Sequence, residues 1–217
     1  MIVPKLQYIS QGATTQEHLE HIQKACSAGV ELVQLRLKNI SDEAFLAAAK
    51  EARTITAHFQ TRLIVNDNYK IAKEVNADGV HLGQSDSDPG EARAYLGNFY
   101  MIGGTANTLE ECQILIEKGV NYIGLGPFKF TTTKQNLGPV LGLEGYEAIL
   151  DELKTETPIF AIGGIALDDV TDLMRTGIYG IATSTMLTAD FNNVSKLHTF
   201  LKGADFMEEV WNNNSPE

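Results

Sequence analysis

In Ala28-Gly29-Val30-Glu31-Leu32-Val33-Gln34-Leu35-Arg36-Leu37-Lys38 a helix-stopping glycine leads directly into a strand. Glycine is common just past a helix C-terminus, and the apolar run after it has the length of a buried strand. Strand side chains alternate faces, so Gln34, Arg36 and Lys38 share one face and Val33, Leu35 and Leu37 the other. The apolar set suits a layer beneath helices, which turns the polar set into the mouth of a barrel. A strand end meeting solvent would account for Lys38, but poorly for Gln34, which lies deeper. The same glycine stop recurs at Lys118-Gly119-Val120 and Thr176-Gly177-Ile178.

Outward from this segment, strand-like runs at 6–10, 30–36, 62–67, 79–83, 100–105, 121–126, 158–163 and 179–185 alternate with helical periodicity. The helical stretches fall near 15–28, 42–59, 69–76, 89–97, 108–118, 142–154, 168–176 and 192–202. Repeats of roughly 27 residues suit a compact single (β/α)8 barrel. An open doubly wound sheet is the structural alternative, but the unit count is eight and no G-x-G-x-x-G follows the first strand. The barrel is expected to occupy residues 1–203. Residues 204–217 leave the pattern as a tail, frayed around Asn212-Asn213-Asn214, with Trp211 packing back onto the barrel.

At 43 % apolar residues the chain can bury a core, and 217 residues suit one domain rather than two. The formal charge of −11 argues against nucleic acid or an anionic membrane as a partner, since both reward a basic face. A small anionic substrate stays compatible, because a few basic residues at a pocket matter more than the total. Cys26 and Cys112 sit in helical segments with no metal-binding spacing, as buried thiols do in a reducing compartment. No basic leader precedes an apolar stretch, and no apolar run approaches the ~18 residues of a membrane span. A cytoplasmic protein is expected, and a homo-oligomer is left open.

In a barrel the active site lies at the C-terminal ends of the strands. There the third strand ends Val65-Asn66-Asp67, and Gly83-Gln84-Ser85-Asp86 follows the fourth. Adjacent strands are ~4.8 Å apart, so Asp67 and Asp86 can serve one Mg²⁺–phosphate cluster; Mg²⁺ commonly takes one or two carboxylates plus substrate oxygens. Asn-Asp is also a frequent turn pair. Asp88 precedes Pro89 and reads instead as a helix cap. His81, inside the fourth strand, reads as a hydrogen-bonded core or supporting group. The loop Gly126-Pro127-Phe128-Lys129-Phe130-Thr131-Thr132-Thr133-Lys134 offers hydroxyls and a lysine to phosphate, and its length suggests a mobile lid. Ala161-Ile162-Gly163-Gly164-Ile165 and Ala182-Thr183-Ser184-Thr185-Met186 bring backbone amides and hydroxyls to a second phosphate subsite.

Together, in order and at strand ends, these motifs resemble the thiamine phosphate synthase family over nearly the whole chain. The resemblance implies joining hydroxymethylpyrimidine pyrophosphate to hydroxyethylthiazole phosphate with Mg²⁺, giving thiamine phosphate and pyrophosphate. It implies Arg36, Lys38, Asn66 and Lys134 as pyrophosphate ligands, with Arg36, Lys38 and Lys134 stabilising charge on the leaving group. Asp67 and Asp86 are implied as metal ligands and Gln34 as the pyrimidine contact. Thr131 and Thr133 fall near the thiazole and its phosphate, which Gly164, Ser184 and Thr185 hold. Thr105 and Thr185 stand where the family often has serine and keep the hydroxyl. Ser184 stands where an aliphatic residue is usual, so its contribution is expected mainly from the backbone amide. A thiazole tautomerase-like isomerase and a non-catalytic binder of thiamine precursors are the competing functions. Arg36, Lys38, Asp67, Asp86 and Lys134 together favour the synthase over the isomerase.

Overall fold

A computed structural model describes residues 2–131 and 138–212, with side chains through residue 202. Eight parallel strands form a closed barrel in sequence order. They are β1 (Leu6–Ile9), β2 (Leu32–Leu35), β3 (Arg62–Asn66), β4 (Gly79–Leu82), β5 (Met101–Ala106), β6 (Tyr122–Leu125), β7 (Ile159–Ile162) and β8 (Gly180–Thr183). The helices between them are α1 (Thr15–Ser27), α2 (Asp42–His58), α3 (Tyr69–Glu74), α4 (Pro89–Leu96), α5 (Leu109–Glu117), α6 (Gly142–Leu153) and α7 (Val170–Arg175), the last after a short 3₁₀ turn. After β8 come α8 (Thr185–Ala189) and α9 (Asn193–Asn212). The expected (β/α)8 barrel is the fold.

Helix starts are set by local chemistry. Thr14, Ser41, Asn68, Asp88 and Thr108 each accept a backbone N–H at an N-terminus through their side chains. Asp88 takes the Gly90 N–H at 2.7 Å with Pro89 in the first turn, the capping role expected of it. Helices α1 and α2 bury Leu19, Ile22, Ala25, Phe45, Ala48, Ala49 and Ala52 against the outward strand residues Tyr8, Val33, Leu35, Leu63 and Val65. The inward residues Ile9, Leu32, Ile64, Met101, Tyr122, Phe160 and Ala182 form a second, separate cluster inside the barrel. This alternation confirms the two faces of the second strand, with Gln34 on the inside and only 2 % exposed.

Two boundaries differ from expectation. The five-residue α8 was not foreseen, because Thr185-Met186-Leu187-Thr188-Ala189 is too short for a helical period to show. Helix α9 continues past residue 202 to Asn212, through a stretch expected to be tail. The packing expected of Trp211 lies outside the described side chains.

Candidate active site

The strand ends surround a cavity of about 700 Å³, a size that suits small organic ligands. Gln34 and Arg36 reach it from β2 and the residue beyond, Asn66 and Asp67 from the end of β3, and Asp86 from the turn after β4. Lys38 lines its rim, Thr105 its β5 wall and Thr131 its β6 side. Gly164, Ser184 and Thr185 close the far side after β7 and β8. Thr132, Thr133 and Lys134, expected to carry phosphate donors, lie outside the described residues.

Each wall is fixed from behind. The Arg36 N–H donates to Ser10 Oγ at 3.0 Å, tying the end of β2 to that of β1. Asp67 adopts a left-handed backbone at φ 64°, which aspartate tolerates better than most residues, and its N–H donates to His81 O at 2.8 Å. Asn68 then caps α3, so Asn66-Asp67-Asn68 is both a turn and a cavity wall. Asp86 folds back to accept the Gly83 N–H at 2.6 Å. The near end of the β6–α6 loop is pinned to β7: Phe128 N–H donates to Ile162 O at 2.9 Å, and Lys129 N–H to Gly163 O at 3.0 Å. Lys129 also pairs with Asp169 at 2.6 Å.

The electrostatics divide the cavity. Lys38 is ion-paired with Asp67, and the Asp86 carboxyl is close enough to Asp67 for the two to influence each other's ionisation. Burial first, and Asp86 second, push Asp67 above the usual carboxylate range against the pull of Lys38. Burial acts the same way on Asp86, but hydrogen bonds from Asp67 and the Gly83 N–H outweigh it and hold Asp86 low. Burial also lowers Arg36, with Asp67 opposing. Asp67 is thus stressed by burial and by the neighbouring Asp86, and a shared proton or a cation relieves it. On the same wall the amide nitrogens of Gln34 and Asn66 are buried and lack an acceptor among the described residues. Each such orphan costs ~1–3 kcal/mol, a deficit that an acceptor on a bound ligand would remove.

Across the cavity, Ser184 Oγ and Thr185 Oγ1 donate to Gln11 Oε1 at 3.0 and 3.1 Å. A phosphate-sized anion at this rim would meet small side chains, two hydroxyls and the backbone that opens α8.

A sequence model described as thiamine monophosphate synthase matches residues 6–187, which spans all eight strands and runs into α8. The chain belongs to the thiamine monophosphate synthase family. A thiamine-phosphate synthase of Flavobacterium psychrophilum is 49 % identical over 191 residues, covering 87 % of this chain and 93 % of its own. That of Flavobacterium johnsoniae is 48 % identical over 187 residues, covering 85 % and 88 %. The solved structure of thiamine phosphate pyrophosphorylase from Pyrococcus furiosus superposes with a TM-score of 0.77 at 29 % identity, covering 95 % of this chain and 96 % of that one. The family, the barrel and the transferase activity of a thiamine-phosphate synthase, each implied by the motifs, are borne out.

Membership of the thiamine monophosphate synthase family does not by itself show which parts of the rim the sequence left out. Gln11, in the β1–α1 loop, reads as an ordinary loop residue, yet it gathers both hydroxyls after β8. Asn107, just after β5, lines the cavity, accepts Gln84 Nε2 at 3.1 Å and donates to Gly126 O. No local pattern marks either residue; barrel closure brings β1 beside β8, and strand pairing brings the β4 turn beside β5.

Proposed function

We propose that this cavity takes hydroxymethylpyrimidine pyrophosphate and hydroxyethylthiazole phosphate together and joins them into thiamine phosphate, with Mg²⁺ held by Asp67 and Asp86. The observation carrying this reading is the pairing of two neighbouring carboxyls, Asp67 pushed up and Asp86 held low, with the cations Lys38 and Arg36 on one wall of a single cavity. Among the described residues no cluster of three or more His, Cys, Asp or Glu side chains is set to hold a metal. Two carboxylates completed by substrate oxygens and water are a donor set that fits Mg²⁺.

In this reading Arg36, Lys38 and Asn66, joined by Lys134, bind the pyrophosphate, and Gln34 contacts the pyrimidine. Bound Mg²⁺ supplies positive charge where the leaving pyrophosphate gathers negative charge. Arg36 and Lys38 act on the same oxygens as the pyrimidine CH₂–O bond breaks. Gly164, Ser184 and Thr185, with Thr131 and Thr133 from the loop, orient the thiazole phosphate so that its ring nitrogen attacks that carbon. Neither reactant loses a proton in this step, so the site has no need of a general base. Thr105 adds a hydroxyl to the wall. A cytoplasmic location belongs to the same proposal; it is supported by two buried free thiols, Cys26 and Cys112.

The test is to mix purified protein with the two phosphorylated precursors, with Mg²⁺ or with EDTA, and to assay thiamine phosphate and pyrophosphate. Product formed only with Mg²⁺ is expected. Isomerisation of the thiazole without coupling would move the assignment to the tautomerase-like alternative.

A further inference from the structure

Beneath the cavity a buried polar chain runs through the barrel interior. Gln7 Nε2 donates to Tyr122 Oη at 3.2 Å. Tyr122 Oη lies 3.2 Å from His81 Nδ1, and His81 Nε2 lies 2.9 Å from Thr105 Oγ1. Gln7 and Tyr122 are 1 % and 0 % exposed, whereas His81, 6 % exposed, and Thr105 both line the cavity. The contact has been given room: a methyl group on Gly103 would sit 2.5 Å from Tyr122 Oη and 2.6 Å from His81 Nδ1.

The polarity of this chain follows from counting protons. Burial pushes the Tyr122 phenol far above its ordinary range, so it keeps its proton and has one to donate. An amide nitrogen only donates, so Gln7 occupies a phenol lone pair and the phenol proton goes to His81 Nδ1. A neutral imidazole accepting at Nδ1 carries its proton on Nε2. That N–H donates to Thr105 Oγ1, which leaves the threonine's own proton to be directed at the cavity.

We infer that His81 is a positioning residue, locked by Gln7 and Tyr122 as the Nε2–H tautomer, which makes the Thr105 hydroxyl a donor to an acceptor atom of the bound substrate. The identity of that substrate rests on the function proposed above; the tautomer does not. The acceptor is a phosphate oxygen or a pyrimidine ring nitrogen.

The experiment is long-range proton–nitrogen NMR on the full chain labelled with ¹⁵N-histidine, near neutral pH, with His81 assigned by its loss in His81→Gln. The parent is expected to show His81 protonated at Nε2 and bare at Nδ1. In Tyr122→Phe the lock is lost, and the ring is expected to leave the pure Nε2–H form. Thr105→Ser is expected to keep turnover within about threefold, and Thr105→Val to lose about five- to tenfold, the worth of one hydrogen bond. Separate titrations of Thr105→Val with inorganic pyrophosphate and with hydroxymethylpyrimidine show which half carries the acceptor; weakened binding of either supports the inference. A parent with the proton on Nδ1, or on both nitrogens, would overturn it, as would a Thr105→Val protein with unchanged turnover and binding. Failure of the parent to make thiamine phosphate would instead overturn the proposed function, with the tautomer still readable.

Discussion

Replacing Asp86 with asparagine separates cation binding from folding. The carboxylate makes one contact that asparagine can copy: the Gly83 N–H, now 2.6 Å from Oδ2, can be accepted by the amide oxygen. Removing the charge also relieves Asp67, whose carboxyl is pushed up in part by Asp86. The metal-free variant should therefore unfold within about 1 kcal/mol of the parent. Its Mg²⁺ affinity should fall much further. Two unit charges ~4 Å apart interact by ~4 kcal/mol at an effective dielectric of 20. Asp86 is only half-buried and the amide oxygen still offers a neutral ligand, so a loss of about 2–4 kcal/mol is expected. That corresponds to a Mg²⁺ requirement raised about 30- to 1000-fold. Initial rates of thiamine phosphate formation across a Mg²⁺ titration, with urea unfolding in EDTA alongside, read both quantities. Parent-like Mg²⁺ dependence would remove Asp86 from the cation site. A variant that loses several kcal/mol of stability in EDTA would show that the turn after β4, not the cation, is what Asp86 serves.

Three further outcomes are expected. Tyr146 is fully buried; its hydroxyl donates to Leu125 O and accepts the Ile162 N–H at 3.3 Å, so Tyr146→Phe orphans two backbone groups between β6 and β7. A loss of about 2–4 kcal/mol in urea unfolding is expected, and a loss under 1 kcal/mol would mean that the strands re-pair without the phenol. Gly164 has φ +67°, and a methyl there would sit 2.7 Å from Lys129 O and 2.8 Å from Phe130 O. Gly164→Ala should therefore cost about 1–3 kcal/mol and raise the KM for the thiazole phosphate more than that for the pyrimidine; an unchanged KM would separate Gly164 from that subsite. His18, hydrogen-bonded to Ser10 Oγ at 2.8 Å, is held below its ordinary range mainly by burial. Its neutral form therefore favours the folded state above pH ~6.5, and that contribution is lost as pH falls below the unfolded value toward the folded one. Urea unfolding from pH 7.5 to 5 should show stability falling with acid, less steeply in His18→Gln, and equal slopes would contradict the assignment.

The barrel was legible because its causes are local: glycine stops, strand runs of period two and capping residues each act within a few positions. The same alternation placed Gln34 inside the barrel, and the proline after Asp88 marked that residue as a helix start. The strand-end rule then put Arg36, Asn66, Asp67, Asp86, Gly164 and Thr185 at one rim, the family resemblance added Thr105, and all of them line the cavity. Their roles remain proposals resting on that placement.

Contacts between strands far apart in the sequence were not legible. Gln11 meets Ser184 and Thr185 from 173 and 174 positions away, and Gln7 meets Tyr122 from 115. Composition and period carry no trace of such pairs, because a side chain's partner is chosen by strand order and register rather than by sequence neighbours. The stress on Asp67 likewise exists only once β3 and β4 lie side by side and the carboxyl is partly withdrawn from water. The sequence by itself determined which groups stand at the rim; the tertiary structure decided which of them share protons, because hydrogen bonds and carboxyl repulsion act over a few ångströms of space.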